Sequence, residues 1–324
     1  MNRTRFVARR LAQGLVALLL IVVVNFFLIR AAPGDPAQVM AGEAGAGDAK
    51  FVAQLRQQFG LDRPMIEQLG LYLGHVVVLD LGQSYRQQRP VADLIAERVP
   101  ATLLLTGSAF VLSLLLGISL GAWSSSRVGT WGDSIVTTVA LVFYATPLFW
   151  VALMAVLIFS IKLDWLPGFG MATVGENFSG LGSAVDVAKH LVLPAVTLAL
   201  FYMAIYARMT RTSMLEVSRM DFVKTARAKG VPRGRIWRVH ILRNALLPII
   251  TLAGIQAGQM VGGAILTETV FAWPGIGRLM FEALLQRDYN LLLGVFLFTA
   301  AMVVLFNFLT DVLYTLVDPR IELR

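Results

Sequence analysis

Ala101-Thr-Leu-Leu-Leu-Thr-Gly-Ser-Ala-Phe-Val-Leu-Ser-Leu-Leu-Leu-Gly-Ile-Ser-Leu-Gly-Ala-Trp-Ser-Ser-Ser126 runs without one Asp, Glu, Lys or Arg. About 20 such residues in a helix cross the ~30 Å hydrocarbon core of a bilayer, where a helix satisfies its own backbone polar groups. Uncharged runs of comparable reach extend from Leu11 to Ile29, Ser134 to Ile161, Leu191 to Ala207, Asn244 to Thr267 and Tyr289 to Thr310. The fourth is the shortest, and Arg208 extends it by snorkelling its head group to the interface. Of the 324 residues 57% are hydrophobic and 15% charged, whereas soluble domains hold about 45–50% apolar residues. A soluble globular protein is excluded, and an all-α membrane protein of six transmembrane helices is expected.

The opening stretch contains Gly117-Ile-Ser119-Leu-Gly121, the G-x-S-x-G spacing of serine hydrolases, which works only on a strained strand-to-helix turn. Inside an unbroken apolar run the same residues read as small side chains packing a membrane helix. A nucleophile would also need a histidine base, and His75, His190 and His240 lie far apart and form no metal-ligand spacing. Cysteine is absent, which removes disulfides, thiolate catalysis and cysteine metal sites. No G-x-x-x-x-G-K-[ST] loop is present, so the chain has no nucleotide site of that kind. Glu268 and Asp311 stand at the ends of spans five and six rather than at mid-membrane, where ion-coupled carriers place carboxylates. Active transport by this chain therefore points to a separate energising subunit.

Lys and Arg fix the expected orientation. Arg3, Arg5, Arg9 and Arg10 precede the first run, ten more lie between Arg208 and Arg243, and Arg127, Arg320 and Arg324 fall on the same side. The positive-inside rule puts that side, with both termini, in the cytoplasm. The net charge of +8 is thus an orientation signal and no nucleic-acid footprint. The expected plan is a cytoplasmic segment 1–10, a first span 11–30, an outer loop 31–99, a core 100–317 holding an inner loop 208–245, and a cytoplasmic tail 318–324.

Within the outer loop, Phe51, Val52, Leu55 and Phe59 recur at helical spacing, and Pro90 opens a second amphipathic stretch that feeds the second span at Pro100. In the inner loop Ser218 and Asp221 resemble a capping box, Phe222, Val223 and Ala226 form an apolar face, and Gly230 with Pro232 ends a short helix. Lys224 and Arg227 on its other face suit an acidic or polar partner surface, or anionic lipid. Arg233 to Arg243 then reads as an interfacial elbow before a fifth span marked by Pro248. In that span Gly254, Gly258 and Gly262 make one face that another helix can approach closely. Gln256 and Gln259 must face a partner helix or a water-filled path, since unpaired amides are costly in hydrocarbon.

Taken in order, these residues resemble a known family, the inner-membrane permease subunits of binding-protein-dependent ABC importers of the dipeptide, oligopeptide and nickel group. The most specific match is Asp221-Phe-Val-Lys-Thr-Ala-Arg-Ala-Lys-Gly230 followed by Arg243-Asn-Ala-Leu-Leu-Pro248, similar to that group's EAA loop. Pro33-Gly-Asp-Pro36, Gly60-Leu-Asp-Arg-Pro64, Asp80-Leu-Gly82, Arg89-Pro-Val91, Pro274-Gly-Ile-Gly277, Asp288-Tyr289 and Asp318-Pro-Arg320 add to it. Lys224-Thr225-Ala226 stands where the general signature has Glu-Ala-Ala, a departure typical of the peptide branch.

The resemblance implies a type I importer bundle in a bacterial cytoplasmic membrane, paired with a second, homologous permease. It also implies two ABC ATPase subunits that bind ATP and magnesium, a periplasmic or lipid-anchored binding protein, and a small peptide as cargo, with no catalytic residue, metal or cofactor in this chain. Asp221, Phe222, Val223, Lys224, Thr225, Ala226, Arg227, Ala228, Lys229 and Gly230 would form the coupling helix on one ATPase. Phe222, Val223 and Ala226 would supply its buried contact and Lys224 and Arg227 its polar rim, while Gln256 and Gln259 stay candidates for the path by their polarity, with a partner helix as the alternative.

Overall fold

The computed structural model describes residues 3–31, 37–38, 49–58, 60, 62–84, 86–176 and 178–317. The motif residues 33–36 and 318–320, Phe59, and the surroundings of Gly262 lie outside the described residues. The described chain is helical, with one isolated bridge between Gln83 and Pro90.

Helix α1 (Arg3–Ala31) is the first candidate span, followed by α2 (Ala49–Gln58) and α3 (Met65–Val77) in the long loop before the second. The long helices α4 (Val91–Ser125) and α7 (Leu181–Ser218) form the central pair. Between them come α5 (Trp131–Ala145) and α6 (Leu148–Ala155), the latter continued by a π-helical stretch Val156–Lys162. After α7 stand the short α8 (Asp221–Ala228) and a helical elbow, Arg233–Arg235 running into π-helical Ile236–Leu242. Then follow α9 (Arg243–Gly263), α10 (Ile265–Val270), α11 (Ile276–Leu285) and α12 (Tyr289–Val317).

Among the described residues five helices are long and apolar enough to span, and α5 with α6 makes a sixth if the pair is counted as one broken span. The third run was expected as a single helix, but its two halves meet at 103°. Pro147 is the cause: it disfavours helical geometry at the preceding residue, and Thr146 is extended at φ −83°, ψ 133°. Pro100, Pro194 and Pro248 lie inside continuous helices. Helix α4 accordingly starts at Val91, directly after the Pro90 expected to open a helix, and runs on through Pro100 without a break. Val91, Leu94 and Ile95 hold its first turns, buried against Ile276, Leu279 and Leu291 of α11 and α12.

The two glycines of the G-x-S-x-G spacing make the α4–α7 contact. A Cβ at Gly117 would lie 2.5 Å from the Tyr206 Cβ, and one at Gly121 2.4 Å from the Ala207 carbonyl oxygen. Ser119 is exposed on another face of α4, and His190 is buried with its Nδ1 2.9 Å from the Asp186 carbonyl. The hydrolase reading therefore has no geometry. Leu105, Leu198, Tyr206, Ile249, Met260 and Trp273 fill the centre of the bundle, and Trp273 donates its indole N–H to the Ala101 carbonyl at 2.8 Å.

Candidate functional site

At one end of the bundle, α8 is held by its own chain. Val223 is fully buried and Ala226 nearly so, against Met214 and Val217 of α7, Ile236 and Ile241 of the elbow, and Ala245 of α9. This corrects the expectation that Val223 and Ala226 face a partner: they are the inner face, covered by residues that no local periodicity reveals. The outward face consists of Asp221, Phe222, Lys224, Thr225, Arg227, Ala228 and Lys229, all exposed. Lys224 reaches back to Asp221 at 2.8 Å, a solvent-exposed pair of little energetic weight.

The expected capping box is absent. Ser218 Oγ donates to the Leu215 carbonyl at 2.7 Å, and Met220 occupies the N-cap without a side-chain hydrogen bond. The stop does rest on Gly230, at φ +73°, where a left-handed residue lets the Val231 N–H reach the Ala226 carbonyl at 3.2 Å. A Cβ there would meet nothing within 4 Å, so glycine serves backbone conformation rather than space. Arg227 faces a groove of about 600 Å³ whose walls include Ser125, Ser126, Val231 and Trp237.

Two turns before the end of α7 lies a charge network that sequence reasoning missed. Arg211 donates to both oxygens of Asp133, which also accepts from Ser124 Oγ and, at 3.1 Å, from the Gly129 N–H. The local signal was the Thr130-x-x-Asp133 spacing, since Thr130 is the N-cap of α5 and accepts weakly from the Asp133 N–H at 3.5 Å. Nothing local pointed to Arg211.

Above this network opens a cavity of about 640 Å³ between α5, α7 and α9. Gln256 lines it, together with Tyr144, Thr137, Thr212, Arg208 and Arg211. Gln259 is exposed and absent from that wall. The glycine face of α9 meets α12: a Cβ at Gly254 would fall 2.0 Å from Thr310 Cγ2, and one at Gly258 would lie 3.4 Å from Phe306 Cβ.

The opposite end is locked by two further networks that sequence reasoning also missed. Ser84 and the Arg86 N–H both donate to Asp288, tying the long loop before α4 to the start of α12. The fully buried Glu268 accepts from Thr102 Oγ1 at 2.7 Å and from the Arg278 N–H at 3.0 Å, while Thr102 in turn accepts from the Ile276 N–H at 2.8 Å. A carboxylate here fastens α10 and the start of α11 to α4.

Comparison with known proteins agrees with this architecture. Residues 113–323 match the family described as binding-protein-dependent transport system inner membrane component, and residues 3–106 match the N-terminal part described for such membrane components. A dipeptide transport system permease protein DppB of Alkalihalophilus pseudofirmus is 40% identical over 98% of this chain and 99% of that protein. A di/tripeptide transport system permease protein DppB of Pseudomonas aeruginosa is 38% identical, covering 98% of each. Among solved structures, the inward-facing MetNI methionine ABC transporter aligns with TM-score 0.56 at 18% identity, covering 69% of this chain and 96% of that one.

Proposed function

The chain belongs to the family of binding-protein-dependent transport system inner membrane components, and on that premise we propose that it forms, with a second homologous permease, the path of an ATP-driven importer of small peptides. The observation that carries the peptide assignment is the near full-length likeness to dipeptide permeases at about two-fifths identity. A periplasmic or lipid-anchored binding protein delivers the peptide. Two ABC ATPase subunits bind ATP and magnesium, and this chain does no ATP chemistry of its own. Both termini lie in the cytoplasm in this reading, which the arginine distribution supports.

In this reading α8 is the coupling helix, and its exposed Phe222, Thr225 and Ala228 meet a groove on one ATPase, with Lys224, Arg227 and Lys229 at the edge. The buried pair Val223 and Ala226 supports the mechanism from behind. It joins α8 to the end of α7 and the start of α9 through one apolar cluster, so a displacement of α8 by the ATPases has to carry both helices with it. The Asp133–Arg211 pair extends that movement to α5. The test is reconstitution of the four membrane-associated subunits in liposomes with the binding protein. Uptake of alanylalanine must require ATP on the α8 side. Uptake that persists without ATP and follows an ion gradient would replace the importer with an ion-coupled carrier.

A further inference from the structure

The cavity between α5, α7 and α9 carries an electrostatic imbalance. Among the described residues its wall contains two guanidinium groups, Arg208 and Arg211, and no carboxylate. Arg211 is neutralised by the bidentate Asp133 behind the wall, whose oxygens also serve Ser124 and Gly129. Arg208 lies one turn earlier on the same face of α7 and has no ion pair or side-chain hydrogen bond among the described residues. The Arg208 side chain is exposed, so its guanidinium is open to water or to a solute anion, and charged residues that line a water-filled cavity of a membrane bundle mark solute pathways. The volume of about 640 Å³ falls in the range of roughly 300–1,000 Å³ that small-molecule sites occupy. Beside the free guanidinium the wall offers the Gln256 amide, the Tyr144 hydroxyl and the apolar flank of Leu141 and Leu252.

We propose that this cavity is a way station for the C-terminal carboxylate of the peptide in transit, with Arg208 as the group that binds it. Guanidinium and carboxylate pair through two parallel hydrogen bonds, which fixes one end of the solute. The positive field at that end drives the peptide's ammonium away, toward the acceptor oxygens of Gln256 and Tyr144. The side chains of the peptide then rest on aliphatic and aromatic surface with no directional demand, so the station reads the backbone termini and tolerates varied residues. This assignment rests on the reading of the chain as a peptide path.

The natural absence of cysteine makes the field measurable. Thr137→Cys gives this chain a single thiol on the same cavity wall in the assembled importer, and its modification is followed by the mass of this chain alone. The probes are the anionic sulfonatoethyl and the cationic trimethylammonioethyl methanethiosulfonates, each normalised to its rate with free cysteine. The anionic reagent is expected to react about tenfold faster, as local charge focusing does for a charged solute. Arg208→Gln in the same background should abolish that preference, and Arg208→Lys should retain most of it. Alanylalanine should slow the anionic reagent, whereas its C-terminal amide should not.

Equal normalised rates, a preference that survives Arg208→Gln, or a thiol that neither reagent reaches would overturn the station. So would an absence of protection by alanylalanine in an importer that does take the peptide up, because the anion met there would then be a lipid phosphate or none. An importer that takes up no peptide at all fails at the transport reading itself, and the station falls with it.

Discussion

Arg211 closes on Asp133 with two nitrogens, Nε 2.7 Å from Oδ1 and Nη2 2.8 Å from Oδ2. The aspartate is 7% exposed and the arginine 29%, so the pair is shielded from water on one side only. It is the main polar link between the start of α5 and the part of α7 that leads to α8, and it leaves Arg208 as the unneutralised cation of the cavity wall.

Removing one partner leaves the other charge half-buried without compensation. Asp133→Ala or Arg211→Ala is expected to lower stability by about 2–4 kcal/mol, the cost of breaking a buried pair reduced for partial exposure. The double replacement Asp133→Ala with Arg211→Ala should cost less than the sum of the two single losses, because the second removal leaves no unpaired charge. Thermal unfolding of the purified importer gives the three values, and strictly additive losses would show that the two residues do not act as a pair.

Phe222 and Val223 are neighbours in sequence and opposites in the fold, one 41% exposed and the other fully buried. Phe222→Ala should leave thermal stability within about 0.5 kcal/mol while reducing ATP-dependent uptake. Val223→Ala should cost about 1–3 kcal/mol through the cavity it opens among Met214, Ile236 and Ile241. Equal thermal losses in the two variants would mean that α8 is not seated by this face.

How much of this was legible beforehand follows from the range of each signal. The spans were legible, since exclusion of charge from a bilayer acts on every residue of a run. Pro147 was ambiguous because Pro100, Pro194 and Pro248 pass through continuous helices, and only the extended Thr146 distinguishes it. Periodicity placed Val223 and Ala226 on one face of α8, yet the cover for that face comes from α7 and α9 at a distance along the chain. The same limit hid the Asp133–Arg211 pair, which joins positions 78 apart, and the Thr102–Glu268 bond, which joins positions 166 apart.

Glu268 works as an acceptor at a position closed to bulk solvent. Glu268→Ala would orphan the Thr102 hydroxyl and the Arg278 N–H, at about 1–3 kcal/mol for an unsatisfied buried donor. Glu268→Gln keeps one acceptor oxygen for the Arg278 N–H and offers its amide to Thr102, so it should lose less than half as much. If glutamine and alanine destabilise alike in thermal unfolding, the negative charge itself holds α10 in place.

At Gly230 the demand is conformational, so substitutions should rank by their tolerance of a left-handed backbone and not by size. Gly230→Val is expected to cost roughly 1–2 kcal/mol locally and to abolish coupled uptake while membrane insertion continues. Gly230→Asn, which visits that region at lower cost, should retain an intermediate rate. Uptake at the wild-type rate in the valine variant, at equal abundance in the membrane, would separate this turn from the transport cycle.

Two glycines of α4 give the opposite test, because there the issue is space. A side chain at Gly121 would press on the Ala207 carbonyl and on Thr210 Cβ at 2.6 Å, backbone and branched carbon that cannot swing away, whereas a Cβ at Gly107 meets nothing within 4 Å. Gly121→Val should force α4 and α7 apart and cost about 3 kcal/mol or more, at the upper end for overpacking. Gly107→Ala should instead stabilise by about 0.5–1 kcal/mol by removing the conformational freedom of glycine within a helix. Thermal unfolding of both variants in the same detergent decides the matter: a tolerated valine at position 121 would require the two helices to sit farther apart than their glycine contact implies.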